Sequence, residues 1–590
     1  MNQTVETKYN FDQWGNFRGS SWKNNINIRD FIFENYTPYD GDDKFLSSAT
    51  QRTKELNKKY EKLHLEETQN NGVLSVDTQN VSSLLTYNPG YLDKENEIIL
   101  GLQTSKPLER GINPFGGMRM AVQACESYGY EVSDKIKDEF RFKSTHNDGV
   151  FRVYTPEIKK ARHCGIITGL PDAYGRGRLV GDYRRVALYG TDVLIAEKNI
   201  DKLEIGKKDL TEENIRLCEE LFKQIDFLKK LDAMAKMYGC DISKPAKNAK
   251  EAVQSIYFAY LAAIKEQNGA AMSLGRVSTF LDIYFQIDIK NGILNESSAQ
   301  EIIDDFILKL RMSRQLRTPD YNNLFAGDPT WITESIGGMC IDGRTHVTKT
   351  SFRFLHTLYN LGPAPEPNLT ILWSQNLPNN FKKYCAKVSI ETDSIQYEND
   401  DLMREIYGDD YAIACCVSAA KIGKQMQFFG ARCNLAKTLL MALNGGKDEI
   451  TGEQIGPKEE IFSDKKPLEF TEVYNAFKFY RKWVCKVYVD AMNIIHFMHD
   501  KYAYEKIQMA LHDTDVHRFM SFGMSGLSVV ADSLSAIKYA KVTPIKNESG
   551  IICDFNIEGD YPKYGNDDDK VDLIAKQLCD ELIADLKEHK

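Results

Sequence analysis

Two cysteines stand side by side in Tyr411-Ala412-Ile413-Ala414-Cys415-Cys416-Val417-Ser418, directly after the acidic pair Asp409-Asp410. A deprotonated thiol is a nucleophile. A protonated thiol can instead give up a hydrogen atom in radical chemistry whose unpaired electron arises elsewhere. On a strand, successive side chains point to opposite faces, so each sulfur would meet a different environment. On a tight turn both could reach one cavity. Judged by residue type alone, the pair equally suits two small buried core positions, because free cysteine is among the most buried residues.

Two arginine-bearing segments offer cations. Gly430-Ala431-Arg432 follows the aromatic run Gln425-Met426-Gln427-Phe428-Phe429. There Arg432 could bind a carboxylate bidentately, and Gly430 would let backbone approach a ligand closely. Pro171-Asp172-Ala173-Tyr174-Gly175-Arg176-Gly177-Arg178 follows an apolar run, where α/β proteins place ligand-binding loops. Its glycine spacing is not that of a phosphate loop. An ion-paired arginine and a solvated basic turn are the ordinary alternatives. Phe325 and Trp331 flank the turn Ala326-Gly327-Asp328-Pro329-Thr330, and Ala270-Ala271-Met272-Ser273 is a stretch of small residues. These could wall and floor a small pocket, or simply pack.

Helices and short strands must position these groups. A helix is expected over Ser47–Leu63, within a polar N-terminal arm anchored by Trp14 and Trp22. Thr211 can cap a helix carrying Leu217, Leu221, Ile225 and Leu228 at helical spacing. Ala252–Gln267 is apolar nearly all round, which implies burial, and Asn268-Gly269 punctuates its end. Further helices are expected over Thr471–Asp500 and Lys570–Glu588. The apolar runs His163–Leu170, Asn368–Trp373 and Tyr411–Val417 have the length and branching of buried parallel strands. Strands separated by helical stretches predict an α/β sheet or barrel.

The chain has 590 residues, is 42% hydrophobic and 27% charged, and carries a net charge of −9. That balance, without a basic block, argues against nucleic acid as the partner. No apolar run reaches the roughly 18 residues needed to span a bilayer. The start of the sequence lacks an apolar leader, so a cytoplasmic protein is expected, with its 12 cysteines as free thiols. None of them forms a Cys-x-x-Cys pair, and no metal site is expected.

Taken together, these segments closely resemble the pyruvate formate-lyase family of glycyl radical enzymes, over essentially the whole of residues 1–590. The resemblance rests on Thr168-Gly169-Leu170-Pro171-Asp172-Ala173-Tyr174-Gly175-Arg176-Gly177-Arg178, Gly327-Asp328-Pro329 with Trp331, and Ser351-Phe352-Arg353-Phe354-Leu355. It rests equally on Tyr397-Glu398-Asn399-Asp400-Asp401-Leu402-Met403-Arg404, the adjacent cysteines, and Lys424 to Arg432. It implies a ten-stranded α/β barrel of two half-sheets with surrounding helices and the cysteine pair on an inner loop. Cys416 would receive the radical and pass it to Cys415, whose thiyl would attack pyruvate and keep the acetyl group as a thioester. Formate would leave, and coenzyme A would take the acetyl group. Arg176 and Arg432 match the residues that hold the pyruvate carboxylate. Phe325, Trp331, Phe429 and Ala271 match pocket walls. A homodimer is also implied.

The family's radical-bearing glycine lies in a C-terminal motif, Arg-Val-Ser-Gly-Tyr-Ala, that these 590 residues do not contain. Arg276-Val277-Ser278 echoes it, but Thr279 follows. The expectation is therefore a core lacking its C-terminal glycyl radical domain. Such a core would be the natural half of a split enzyme or a truncation, and would need a glycyl radical subunit in trans. That subunit would in turn be charged by a radical-SAM activating enzyme. A non-catalytic keto-acid- or partner-binding relative, and a lyase preferring 2-ketobutyrate, are the alternatives.

Overall fold

The structure, a computed structural model, describes residues 8–115, 117–269, 271–324, 330–428 and 430–589. They form two compact units, each assembled from separated stretches. The first takes residues 1–145, 174–428 and 503–519; the second takes 146–173, 429–502 and 520–590.

In the first unit the N-terminal arm is fixed by its aromatics. Trp14 and Trp22 meet edge to face at 5.1 Å, and Tyr189 closes on Trp14 at 5.9 Å. The first long helix, Gln51–Gln69, begins later than expected because Thr50 caps it by accepting from the Thr53 amide. Helix Glu212–Met237 starts at its Thr211 cap as expected, and buries Leu221, Ile225 and Leu228. The all-round apolar helix is Ala249–Glu266, capped by Asn248 and buried along nearly its whole length. Asn268-Gly269 does not cap it. Instead the Asn268 side chain accepts from the Gly175 amide at 2.9 Å, and Gly175 and Gly269 form a parallel bridge. A Cβ on Gly175 would stand 2.7 Å from the Gly269 nitrogen, so glycine is required there by close backbone approach.

Thr333–Gly337, Asn368–Trp373 and Ile395–Asn399 form a parallel sheet with Asn368–Trp373 in the centre. The central strand runs where the sequence places it. Tyr411–Ala414 does not continue to Val417 as a parallel strand. It turns and pairs antiparallel with Ser418–Lys421.

In the second unit the run His163–Leu170 divides. Its first residue ends the helix Pro156–His163, Gly165 takes φ +76°, and only Ile167–Thr168 are strand, antiparallel to Arg432–Asn434. The glycine lets the chain reverse after the helix, which an uninterrupted apolar pattern does not reveal. Helices Phe470–Tyr502 and Asp569–Lys587 lie within two residues of expectation. They are joined by buried Arg481, which binds Asp585 and Glu581, both at 2.7 Å. Among the described residues no helix is long and apolar enough to cross a membrane.

Candidate active site

The cysteines occupy a three-residue loop. Ala414 pairs with Ser418, leaving Cys415, Cys416 and Val417 between the strands. Cys415 takes a left-handed backbone, φ +65°, which is uncommon for a residue with a Cβ. The two sulfurs stand 3.4 Å apart. A turn therefore achieves what an extended strand would prevent. Cys415 is 3% exposed, Cys416 is half-buried and Val417 is exposed.

Three other segments hold the loop. The Cys415 amide donates to the Ser273 hydroxyl at 2.8 Å, and the Thr333 hydroxyl donates to the Cys415 carbonyl. The Gln396 side chain donates to the Cys416 carbonyl. Below the loop, the Ile413 amide donates to the Ser335 hydroxyl at 2.9 Å. Ser273 in turn donates to the Trp331 carbonyl at 3.3 Å, and Trp331 also sits at positive φ, +47°. Strain at non-glycine positions persists only where surrounding bonds over-determine it.

The segment around Arg176 and Arg178 is neither solvated nor a plain turn. Arg176 is fully buried. Its guanidinium donates to both Glu505 oxygens, at 3.0 and 3.1 Å, and lies 4.2 Å over the Phe428 ring. The arginine fork expected to meet a ligand carboxylate thus grips a protein carboxylate. Arg178, at φ +56°, is tied to Ala271 by its amide, and its guanidinium donates to the Ser418 hydroxyl at 2.9 Å. Its charge acts on the Cys415 thiol.

The family profile described as pyruvate formate lyase-like matches residues 21–590. The chain belongs to this family. It is 53% identical over 594 residues to a formate acetyltransferase of Haemophilus influenzae, covering 98% of this chain and 77% of that protein. Its fold is that of glycyl radical enzymes. The glycerol-bound B12-independent glycerol dehydratase of Clostridium butyricum superposes with a TM-score of 0.74 at 20% identity, over 93% of this chain and 80% of that one. A glycyl radical enzyme of Archaeoglobus fulgidus gives 0.67 at 18% identity, over 95% and 79%. The chain is a formate acetyltransferase-like glycyl radical enzyme core.

Within this pyruvate formate lyase-like core the described residues place Cys415, Cys416, Arg176, Ala271 and Trp331 in the first unit. Ala271 is fully buried, and its carbonyl accepts from the Arg178 amide at 3.0 Å. The Trp331 amide donates to Glu366. Arg432 lies in the second unit, half-buried on a three-residue strand between Ile167–Thr168 and Gly523–Ser525. Phe325 and Phe429, and the Gly327-Asp328-Pro329 turn, lie outside the described residues. Gly430 admits protein backbone: a Cβ there would stand 0.9 Å from the Ser521 carbonyl oxygen. Ser273 belongs to the small-residue stretch already noted, though not as the partner of the Cys415 amide, while Thr333, Gln396 and Glu505 escape a reading of the sequence. They are common polar residues far along the chain from the cysteines, and carry no local signal.

The Cys415 thiol is held well above the ordinary thiol range. Its contact with Cys416 is the larger cause and burial the next, and both outweigh the nearby Arg178 charge. At neutral pH this sulfur keeps its hydrogen, which disfavours thiolate attack and suits hydrogen-atom donation. Alkylation at pH 8, followed by peptide mass mapping, should therefore label Cys415 at least ~10-fold more slowly than exposed Cys553. Above pH 9 the unfolded thiol loses a proton that the folded one keeps, so this group destabilises the fold as pH rises.

Proposed function

We propose that this chain is the catalytic core of a formate C-acetyltransferase, converting pyruvate and coenzyme A to acetyl-CoA and formate by radical chemistry. The observation that carries this reading is the contact of two adjacent sulfurs at 3.4 Å, one of them buried. A glycyl radical, borne by a glycine outside residues 1–590 and supplied in trans, would provide the unpaired electron when docked. Cys416, the more accessible thiol, yields its hydrogen atom first. Its sulfur then takes the hydrogen from Cys415 across the short contact.

The Cys415 sulfur forms a bond to the pyruvate carbonyl carbon. The bond between that carbon and the carboxylate breaks homolytically, leaving an acetyl thioester on Cys415 and a carboxyl radical anion. That fragment takes a hydrogen atom from Cys416 and departs as formate, which returns the unpaired electron to Cys416. Exchange with the coenzyme A thiol releases acetyl-CoA and frees Cys415. Burial of Cys415 supports this sequence, because excluding water protects the acetyl thioester from hydrolysis. From the sequence resemblance alone, Arg176 and Arg432 are the proposed cations for the carboxylate, and Ala271, Phe325, Trp331 and Phe429 the proposed walls.

The test is anaerobic mixing of the chain with an activated glycyl radical polypeptide, pyruvate and coenzyme A. Acetyl-CoA and formate should appear in equal amounts. A confirmed radical on the partner with no acetyl-CoA would refute the reading. Running 2-ketobutyrate in parallel reads out substrate preference, since one methylene is worth about 1–3 kcal/mol in a pocket.

A further inference from the structure

Away from the cysteine pair, the first unit buries a second group of metal-ligating side chains. Cys340, His346 and Asp409 place one donor atom each within 4.8 Å of one another, and all three are buried. The Cys340 sulfur stands 3.0 Å from Asp409 Oδ2. His346 is 6% exposed, yet neither ring nitrogen has a hydrogen-bond partner; its ring is stacked on Tyr36 at 5.3 Å. The Tyr36 hydroxyl, beside the Cys340 thiol, makes no hydrogen bond of good geometry either. Buried polar groups left without partners are rare, and several converging on one point call for an ion or a water there.

We propose that Cys340, His346 and Asp409 form a binding site for a zinc-type divalent cation, with the Tyr36 hydroxyl or a water in the fourth position. A thiolate, an imidazole and a carboxylate make a ligand set that zinc accepts. Its donors in a tetrahedral shell stand about 3.3–3.6 Å apart, which the trio reaches by shifts of about 1 Å. Binding would replace the Cys340 proton, released to solvent, by the metal.

The surroundings select the kind of cation. Arg29 already grips both Asp409 oxygens at 3.0 Å, Arg276 donates to the Asp409 backbone carbonyl at 2.6 Å, and Arg344 lies 4.8 Å over the Tyr36 ring. This positive shell repels every divalent cation alike, so Ca²⁺ or Mg²⁺, bound by charge through oxygen, has nothing to offset it. The shell leaves a cation whose affinity comes from sulfur and nitrogen. The Arg29 fork also serves as the outer partner that orients a ligating carboxylate. Ile341, next to Cys340, is exposed, and Arg29 is part-exposed. The ion would staple three segments: the helix Ile28–Asn35 through Tyr36 and Arg29, the loop of residues 338–346, and the root of the cysteine hairpin, since Asp409 precedes Tyr411 by two residues.

The test uses the full chain carrying Cys415→Ser and Cys416→Ser, so that the adjacent pair cannot bind metal. After chelator treatment and dialysis, Co²⁺ should bind at one equivalent with a thiolate-to-cobalt charge-transfer band. That band should vanish with Cys340→Ser added. Zinc should raise the thermal midpoint of the background chain, and should do so less with His346→Gln. X-ray absorption of the zinc-loaded background chain should show one sulfur among nitrogen and oxygen neighbours, a readout that needs no further variant to fold. Absence of stoichiometric binding, a metal shell without sulfur, or a band that survives Cys340→Ser would each overturn the proposal, leaving the cluster to an ordered water.

Discussion

Serine at position 415 is expected to abolish acetyl-CoA formation, by a factor on the order of 10⁶, as for removal of other indispensable nucleophiles. Serine has the shape of cysteine but is smaller, and the bonds of Ser273 and Thr333 are to the backbone of residue 415, so the loop keeps them. What is lost is chemical. A serine O–H does not surrender its hydrogen to a thiyl, and no sulfur remains to carry the acetyl group. Cys416→Ser should lose as much, because Cys415 then has no relay. The double variant should lose no more than either single one, since the pair acts as a unit. Cys553→Ser, at an exposed site, should retain full activity. The measurement is anaerobic acetyl-CoA production with an activated partner. Substantial turnover by either single variant would separate the sulfurs from the reaction.

Glu505→Gln is expected to destabilise the fold by about 3–5 kcal/mol, read as a lower urea midpoint at unchanged slope. Both members of the Arg176–Glu505 pair are fully buried, so the variant leaves a guanidinium in a low-dielectric site without the carboxylate that it grips through two hydrogen bonds. The Phe428 face under that guanidinium offsets part of the cost. Replacing both residues, Arg176→Met with Glu505→Met, should recover most of the loss, because neither charge then needs solvating. Such recovery in stability without recovery of acetyl transfer would assign Arg176 a role beyond the ion pair. A single variant as stable as the parent would show that water reaches the pair.

Local pattern carried much of the fold. Thr211 and the apolar spacing behind it mark a helix whatever the rest of the chain does, because cap and stripe lie within a few residues of each other. Boundaries shifted at a local cap or glycine, Thr50 and Gly165, and where a turn or a distant partner decides. Nothing near Asn268-Gly269 announces that Gly175 will lie against it. Nothing in the run ending at Val417 says that Ala414 will pair back onto Ser418.

The sequence by itself determined the adjacent thiols, the capped helix behind Thr211 and one buried helix, because these are properties of residue type and near-neighbour spacing, and its longer motifs carried the resemblance to the family. Only the tertiary structure decided that both sulfurs share one turn at 3.4 Å, that Arg176 faces Glu505, and that Arg178 acts on the thiol. It also gathered Cys340, His346 and Asp409. The sulfur contact depends on a reversal within one turn, and the others on folding that brings residues tens to hundreds of positions apart together. The free energy that fixes them comes from the assembled core, not from any single stretch of chain.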